Sequence, residues 1–233
     1  LRTLIYTDVT RDGTMLGAAR ALADYNVPLI GINHGRLGFI TDIPIKKAQD
    51  ALRGVLAGDY VTEERTMLEG RVLRKGQVLF SGFALNDIVI NRAGRSGMIE
   101  LRVELNNLFM HRQRADGLII ATPTGSTAYS LSGGGPIMHP RLDVLTLVPM
   151  FPHTLSSRPI VVDSSSEIRI HIGETNQTYP HISCDGQTRA VAKPDDVLVI
   201  RRKPQRVQLV HPLGHNFYEV LRSKLGWSSR LGD

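Results

Sequence analysis

DGLIIATPTGSTAYSLSGGGPIMHP, residues 116–140, is the stretch from which the fold is read. Asp116 and Gly117 precede four apolar residues, Leu118 to Ala121, the mark of a short buried strand. A run of small and hydroxyl residues follows: Thr122, Thr124, Gly125, Ser126 and Thr127, with Pro123 fixing one φ angle among them. Ala128, Tyr129, Ser130, Ser132 and the glycines Gly133 to Gly135 come next. A buried strand thus delivers a loop rich in N–H and hydroxyl donors and poor in bulk. Such a loop lets a ligand come close, and its donors suit ribose hydroxyls or phosphate oxygens. A Gly/Ser/Thr-rich surface turn has the same composition. The length of the stretch and its lack of charge favour a site.

Upstream, Leu4 to Tyr6 reads as a strand, and a helix is expected from about Thr14 to Tyr25, with Met15, Leu16, Ala19, Leu22 and Ala23 at helical spacing. Val27 to Ile32 is the next strand, which completes a strand–loop–helix–strand unit of a parallel sheet. The loop HGRLGF (34–39) follows at the end of that strand, where open α/β sheets keep their ligands. A second helix is expected over Ile45 to Ala57. From Thr62 the pattern becomes one of short strands: 71–80 around a Lys-Gly-Gln turn, then 83–91, 98–105, 108–113, 160–172, 181–187, 197–202 and 206–211. Asn216 to Leu225 reads as an amphipathic helix with Phe217, Val220, Leu221 and Leu225 on one face. The fold expected is α/β plus all-β. A partial Rossmann-like parallel α/β domain (1–61) precedes an antiparallel β-rich domain (62–215), and a C-terminal helix (216–233) packs back on the α/β domain.

Of the 233 residues, 42% are hydrophobic, enough for one large core or two smaller ones. No apolar run approaches the roughly 20 residues of a membrane span, and Leu1 to Tyr6 lacks the features of a signal peptide. The single cysteine, Cys184, precludes an internal disulfide and fits a reducing cytoplasm. The net charge of +6 would suit nucleic acid or a membrane surface, but it comes without a block of five or six basic residues, and polyanionic nucleotide substrates explain it equally well; neither nucleic acid nor a membrane is expected as a partner. His34, His139 and His153 match no zinc spacing, and no protein-held metal is expected from them.

TPTGSTAYSLSGGGPIMHP (122–140) resembles the signature segment of the bacterial NAD kinases. NHGRLGFITDI (33–43), LNDIVI (85–90), LVPMFPHTLSSRPIVV (147–162) and KLGWSSRL (224–231) are similar to further segments of that family, in the same order. The resemblance runs from about Asp12 to the C-terminus. It implies ATP-dependent phosphorylation of the adenosine-ribose 2′-hydroxyl of NAD, with ATP and NAD as substrates and Mg²⁺ arriving with ATP, held mainly by phosphates and water.

Asp12 matches the acid of the family's Gly-Gly-Asp-Gly motif, which implies the role of general base. Gly13 and Thr14 then lie at a helix start suited to phosphates. By the same resemblance Phe39, Asn86, Asp87, Arg114, Asp116, Thr124, Thr127, Ala128, Tyr129 and Ser132 contribute to the dinucleotide site, and Asp185, in the turn SCDGQ (183–187) between strands, is a further candidate to face the ligand. Asp116 is expected to reach NAD bound largely by a neighbouring subunit of a homodimer or homotetramer.

The sequence departs from the family where Thr10 and Arg11 replace the two glycines, and side chains now stand where bare backbone meets a triphosphate. About two further strand–helix units, on the order of 60 residues at roughly 30 each, are expected before the motif. TLIYTDVTRDGTM (3–15) resembles instead a catalytic strand and loop of the (β/α)₈ isomerase of histidine biosynthesis, which implies a chimera joined within Asp12 to Met15. One strand of a barrel cannot carry that activity. Two rival functions stand beside the kinase: a non-catalytic NAD(P)-binding remnant, and a lipid kinase sharing the glycine–acid motif. The NAD-specific pattern of 116–140 speaks against the lipid kinase.

Overall fold

The computed structural model describes residues 5–9, 12–34, 38–92, 97–174, 176 and 179–227, with the backbone alone described for 5–9 and 12. The chain divides into two compact units, residues 1–65 together with 205–233, and residues 66–204.

In the first unit, β1 (Ile5–Val9) leads to α1 (Asp12–Ala21), and β2 (Leu29–Asn33) runs parallel to β1 with Val9 opposite Asn33. The helix ends at Ala21 rather than near Tyr25. The segment 22–26 turns instead, with Asn26 at φ 50°; Ala23 is buried, but Asp24, Tyr25 (72% exposed) and Asn26 are exposed and offer little to reward a further helical turn. After β3 (Ile43–Pro44) the chain makes one 3₁₀ turn (Ile45–Lys47) before α2 (Ala48–Ala57), and β4 (Tyr60–Arg65) follows. The turn replaces the first part of the expected helix and has no side-chain cap.

The second unit is a β-sandwich. Its strands are β5 (Leu68–Arg74), β6 (Gln77–Ala84), β7 (Asp87–Asn91), β8 (Ile99–Leu105), β9 (Leu108–Ala115) and β10 (Gly117–Ala121). A 3₁₀ turn (Gly125–Thr127) and the single-turn α3 (Tyr129–Ser132) come next. Then follow β11 (Val144–Met150), β12 (Ile160–Asp163), β13 (Ile168–Ile172), β14 (His181–Cys184), β15 (Gln187–Val191) and β16 (Val197–Arg202). One sheet has the order β12-β11-β10-β7-β14-β15 and the other β6-β5-β16-β13-β8-β9.

Ile88, Ile90, Leu118, Ile120, Leu145 and Leu147 from the first sheet share a core with Ile99, Leu101, Val103, Ile168, Ile170 and Leu198 from the second. On its other face the first sheet buries Val89, Ile119, Ala121 and Val148. Burial on both faces is why Leu118 to Ala121 is an unbroken apolar run.

Two expected strands are each divided between the sheets. Segment 83–91 breaks at Leu85 and Asn86, so that β6 and β7 lie in different sheets, and 160–172 divides likewise into β12 and β13. The chain then returns to the first unit as β17 (Val207–Pro212) and α4 (Phe217–Leu225). β17 inserts between β2 and β4, giving the order β1-β2-β17-β4 with β3 also beside β2. Ile30, Ile32, Ile43, Val55 and Val210 form the core there. Asn216 caps α4 by accepting from the Tyr218 N–H at 2.9 Å.

Candidate functional site

The loop after β10 is fastened to the break between β6 and β7. Thr122 Oγ1 donates to the Leu85 carbonyl at 2.5 Å, and its N–H donates to the Asn86 carbonyl at 2.9 Å. Gly125 lies against the same carbonyl so closely that a Cβ there would stand 2.1 Å from the Asn86 oxygen. From the other side Asp185, in the turn between β14 and β15, takes three backbone N–H groups on one carboxylate. Leu85 donates at 3.1 Å, Asn86 at 2.8 Å and Asp87 at 3.3 Å. Asp185 thus holds the Asn86–Asp87 pair in place.

Asn86 is half-buried and Asp87 is buried. Burial, then the nearby Asp185 carboxylate, pushes the Asp87 carboxyl up to about 7. A carboxyl at that value populates both forms near neutrality, and can accept a hydrogen bond from a hydroxyl or donate one.

The small residues of the loop divide by task. Ser126 Oγ donates to the Pro123 carbonyl at 2.6 Å and accepts from the Met138 N–H at 3.0 Å, and so folds the loop on itself. Gly133, though exposed, and the buried Gly135 both turn the place of a Cβ toward the sheet, where it would press on Val148, at 3.0 and 2.8 Å. Their smallness lets α3 close over Ile119 and Val148, so the reading that these glycines clear space for a ligand is corrected for these two. Thr124 is buried, and Thr127 Oγ1 donates to its carbonyl at 3.3 Å. Ala128 is half-buried, and Tyr129 and Ser132 are exposed. Tyr129 and Ser132 line a cavity of about 450 Å³ with Phe151, Ser157 and Arg158.

 Phe151 and Arg158 were not singled out from the sequence, and the Arg158 guanidinium is steadied by the Leu155 and Ser157 carbonyls, both at 2.7 Å. Asp116 pairs with Arg92 (Nε to Oδ1, 2.9 Å), and Arg114 is exposed, with its carbonyl accepting from the His153 N–H at 2.9 Å.

In the first unit the parallel pairing of β1 and β2 sets the start of α1 and the end of β2 at the same edge of the sheet. Gly13 and Thr14 are exposed in the first turn of α1, where free N–H groups and the positive end of the helix dipole suit an anion. Thr10, Arg11 and the Asp12 side chain lie outside the described residues. The loop after β2 folds back on the strand: a Cβ on Gly31 would stand 2.3 Å from the Ile40 carbonyl, and Asn33 Nδ2 donates to the Thr41 carbonyl at 3.0 Å. Phe39 is half-buried under the Lys224 ammonium, 5.8 Å from its ring centroid.

A buried charged group in the same unit escaped the sequence reading. Asp42 Oδ2 meets His211 Nδ1 at 3.0 Å and His215 Nδ1 at 2.6 Å, and Glu63 is paired with Arg65 at 2.6 Å. Burial works against the Asp42 charge, but the two imidazoles outweigh it and hold the carboxyl well below the usual range. Burial likewise opposes the charge on Glu63, and His211 and Arg65 hold it at about 2.

Two family descriptions match the chain: "ATP-NAD kinase N-terminal domain" over residues 11–60 and "ATP-NAD kinase C-terminal domain" over residues 85–212. An NAD kinase of Chromohalobacter salexigens is 57% identical over 222 residues, 95% of this chain and 76% of the relative. The chain belongs to the NAD kinase family. An NAD kinase of Hahella chejuensis is also 57% identical, over 94% of this chain and 74% of its own length. Among solved structures, yeast NADH kinase complexed with NADH is similar with a TM-score of 0.91 at 28% identity, covering 99% of this chain and 69% of the yeast chain. An NAD kinase from Archaeoglobus fulgidus in complex with ATP has a TM-score of 0.78 at 25% identity, covering 94% and 83%. The α/β unit and the antiparallel β-rich unit are thus the NAD kinase fold.

Proposed function

We propose that this chain transfers the γ-phosphoryl group of ATP to the adenosine-ribose 2′-hydroxyl of NAD, giving NADP and ADP. The observation that carries the reading is the double fastening of Asn86–Asp87, by Thr122 and Gly125 on one side and Asp185 on the other. It presents a polar pair on a rigid scaffold, as recognition of a dinucleotide requires.

Asp12 takes the proton of the attacking hydroxyl, and Gly13 and Thr14 offer N–H groups to the phosphates. Phe39, Asn86, Asp87, Arg114, Thr124, Thr127, Ala128, Tyr129 and Ser132 hold the dinucleotide, with Asp185 acting through Asn86–Asp87. ATP enters as its Mg²⁺ complex, with the metal held by phosphates and water. The proposal includes a cytoplasmic homo-oligomer in which Asp116 reaches dinucleotide bound by a neighbouring subunit.

A second reading, a dinucleotide-binding protein without turnover, is favoured by Thr10 and Arg11 in place of two glycines. The isomerase-like origin of residues 3–15 belongs with it, and the start of the family match at residue 11 supports such a junction. NADP formation from NAD, ATP and Mg²⁺ is measured beside Asp12→Asn, with NAD binding by calorimetry on both. Loss of a catalytic base lowers turnover by about 10²–10⁴-fold, with binding kept. Binding without turnover in the unaltered chain would establish the second reading.

A further inference from the structure

The turn that carries Phe39 is fastened at one end by charge. Residues 38–41 close on themselves and onto β2: the Gly38 N–H and Asn33 Nδ2 both donate to the Thr41 carbonyl, at 2.9 and 3.0 Å. Asp42 follows with its side chain 7% exposed. Its Oδ2 accepts from His211 Nδ1 at 3.0 Å and lies 2.6 Å from His215 Nδ1. The two imidazoles stack, with centroids 3.9 Å apart and planes 16° apart. His215 leads into α4, whose Lys224 stands over the Phe39 ring. The turn that carries Phe39 and the helix that covers it are thus tied to one group of side chains.

His211 stands between two carboxylates. Glu63, on β4, is opposite Leu209 and so diagonal to His211 on the same face of the sheet. Its Oε2 is 3.6 Å from His211 Nε2, an ion-pair distance rather than a hydrogen bond. Arg65, on the same strand, is bonded to Glu63 at 2.6 Å, and its charge opposes a proton on His211. β2, beside β17, brings Leu29–Asn33, none of them charged. Lys47, Asp50 and Glu219 border a cavity of about 670 Å³ that His215 lines and His211 does not. Burial alone would drive the proton off His211, but the Asp42 and Glu63 carboxylates outweigh it and raise the imidazole above its ordinary value of 6.5.

We propose that Asp42 and His211 are positioning residues for the dinucleotide: the imidazolium of His211, held between Asp42 and Glu63, latches the segment 38–42 and with it Phe39. The inference rests on the reading that Phe39 contacts the dinucleotide. A proton bound more tightly in the folded chain makes the latch whole below 6.5 and lost as pH rises through the folded value. Asp42, held well below the usual carboxylate range, then keeps its charge against a neutral ring. NAD affinity therefore falls on the alkaline side.

The test is calorimetry of NAD binding from about pH 6.5 to about pH 9, on the unaltered chain beside Asp42→Asn. Asp87 titrates in the same window, so the readout is the difference between the two proteins. Affinity should fall by about three- to tenfold more in the unaltered chain than in Asp42→Asn, where a neutral side chain holds the turn alike at each pH. Two readouts on the unaltered chain without NAD need no variant to fold. The His211 Cε1–H resonance should titrate above 6.5, and protection of the Gly38 amide from exchange should fall through the same pH. Equal slopes in the two proteins, or a His211 that titrates at or below 6.5, overturns the proposal. Phe39→Ala, measured alongside, separates the two ideas. Unchanged NAD affinity there removes Phe39 from the dinucleotide site and the latch's role with it, whereas lost affinity there with equal slopes removes the latch alone.

Discussion

Asp42 in the first unit and Asp87 in the second are both buried, yet their carboxyls move in opposite directions. Burial favours the neutral form of each. Asp42 faces His211 and His215, which reverse that preference, whereas Asp87 faces the Asp185 carboxylate, which adds to it. The first unit thus uses buried charge as a tie between distant segments. The second uses a carboxylate, Asp185, to fix a strand break and leaves its neighbour near neutrality.

The largest effect that tests this contrast is expected from Arg65→Met. Removing one member of a buried pair leaves Glu63 with His211, at 3.6 Å, in place of a close guanidinium, and costs about 3–5 kcal/mol. Trp227 is the sole tryptophan and lies in the first unit, so urea unfolding followed by its fluorescence reads this change. A loss under about 1 kcal/mol, the size expected of a surface pair, would break the contrast.

Asp185→Ala comes next. Three backbone N–H groups lose their acceptor, at about 3 kcal/mol in all if water reaches some of them. NAD affinity should fall with it, because Asn86 and Asp87 lose their support. Calorimetry showing full affinity in a folded variant would remove Asp185 from the site.

The smallest effect is one of pH. A raised Asp87 pKa means that its contribution to stability is whole below the unfolded value of 3.8, declines as pH rises through about 7, and is lost above it. Between pH 5 and 7 the decline is about 2 kcal/mol. Asp87→Asn should flatten that slope in denaturant midpoints, and an unchanged slope would assign it to other groups.

What was legible in the sequence is what local chemistry decides. Leu118 to Ala121 announced a strand buried on both faces by being apolar throughout. The hairpin turns at Lys75-Gly76 and Asn106-Asn107 have positive φ at both residues, which glycine and asparagine tolerate, so strands on either side could be placed. The break at Leu85 was not legible. Leu85 is buried like a strand residue, and what ends the strand is Thr122 and Asp185, 37 and 100 residues away. The same holds for β17, whose apolar alternation fits either sheet, and for the Asp42 group, which no spacing reveals. In the candidate site, the residue types of the loop were visible, but not that Ser126, Gly133 and Gly135 serve packing while Tyr129 and Ser132 stay exposed.

The place of β17 bears on how the molecule is made. β4 pairs with β17 and lies at the edge of its sheet, yet β4 ends at Arg65 and β17 begins at Val207. On a ribosome adding about 5–20 residues per second, that interval lasts roughly 7–30 s. For that time a nascent β4 has no ladder to join, while the whole of the second unit can emerge and close. Synthesis therefore leaves an open seam early in the chain, sealed by one of the last strands to appear.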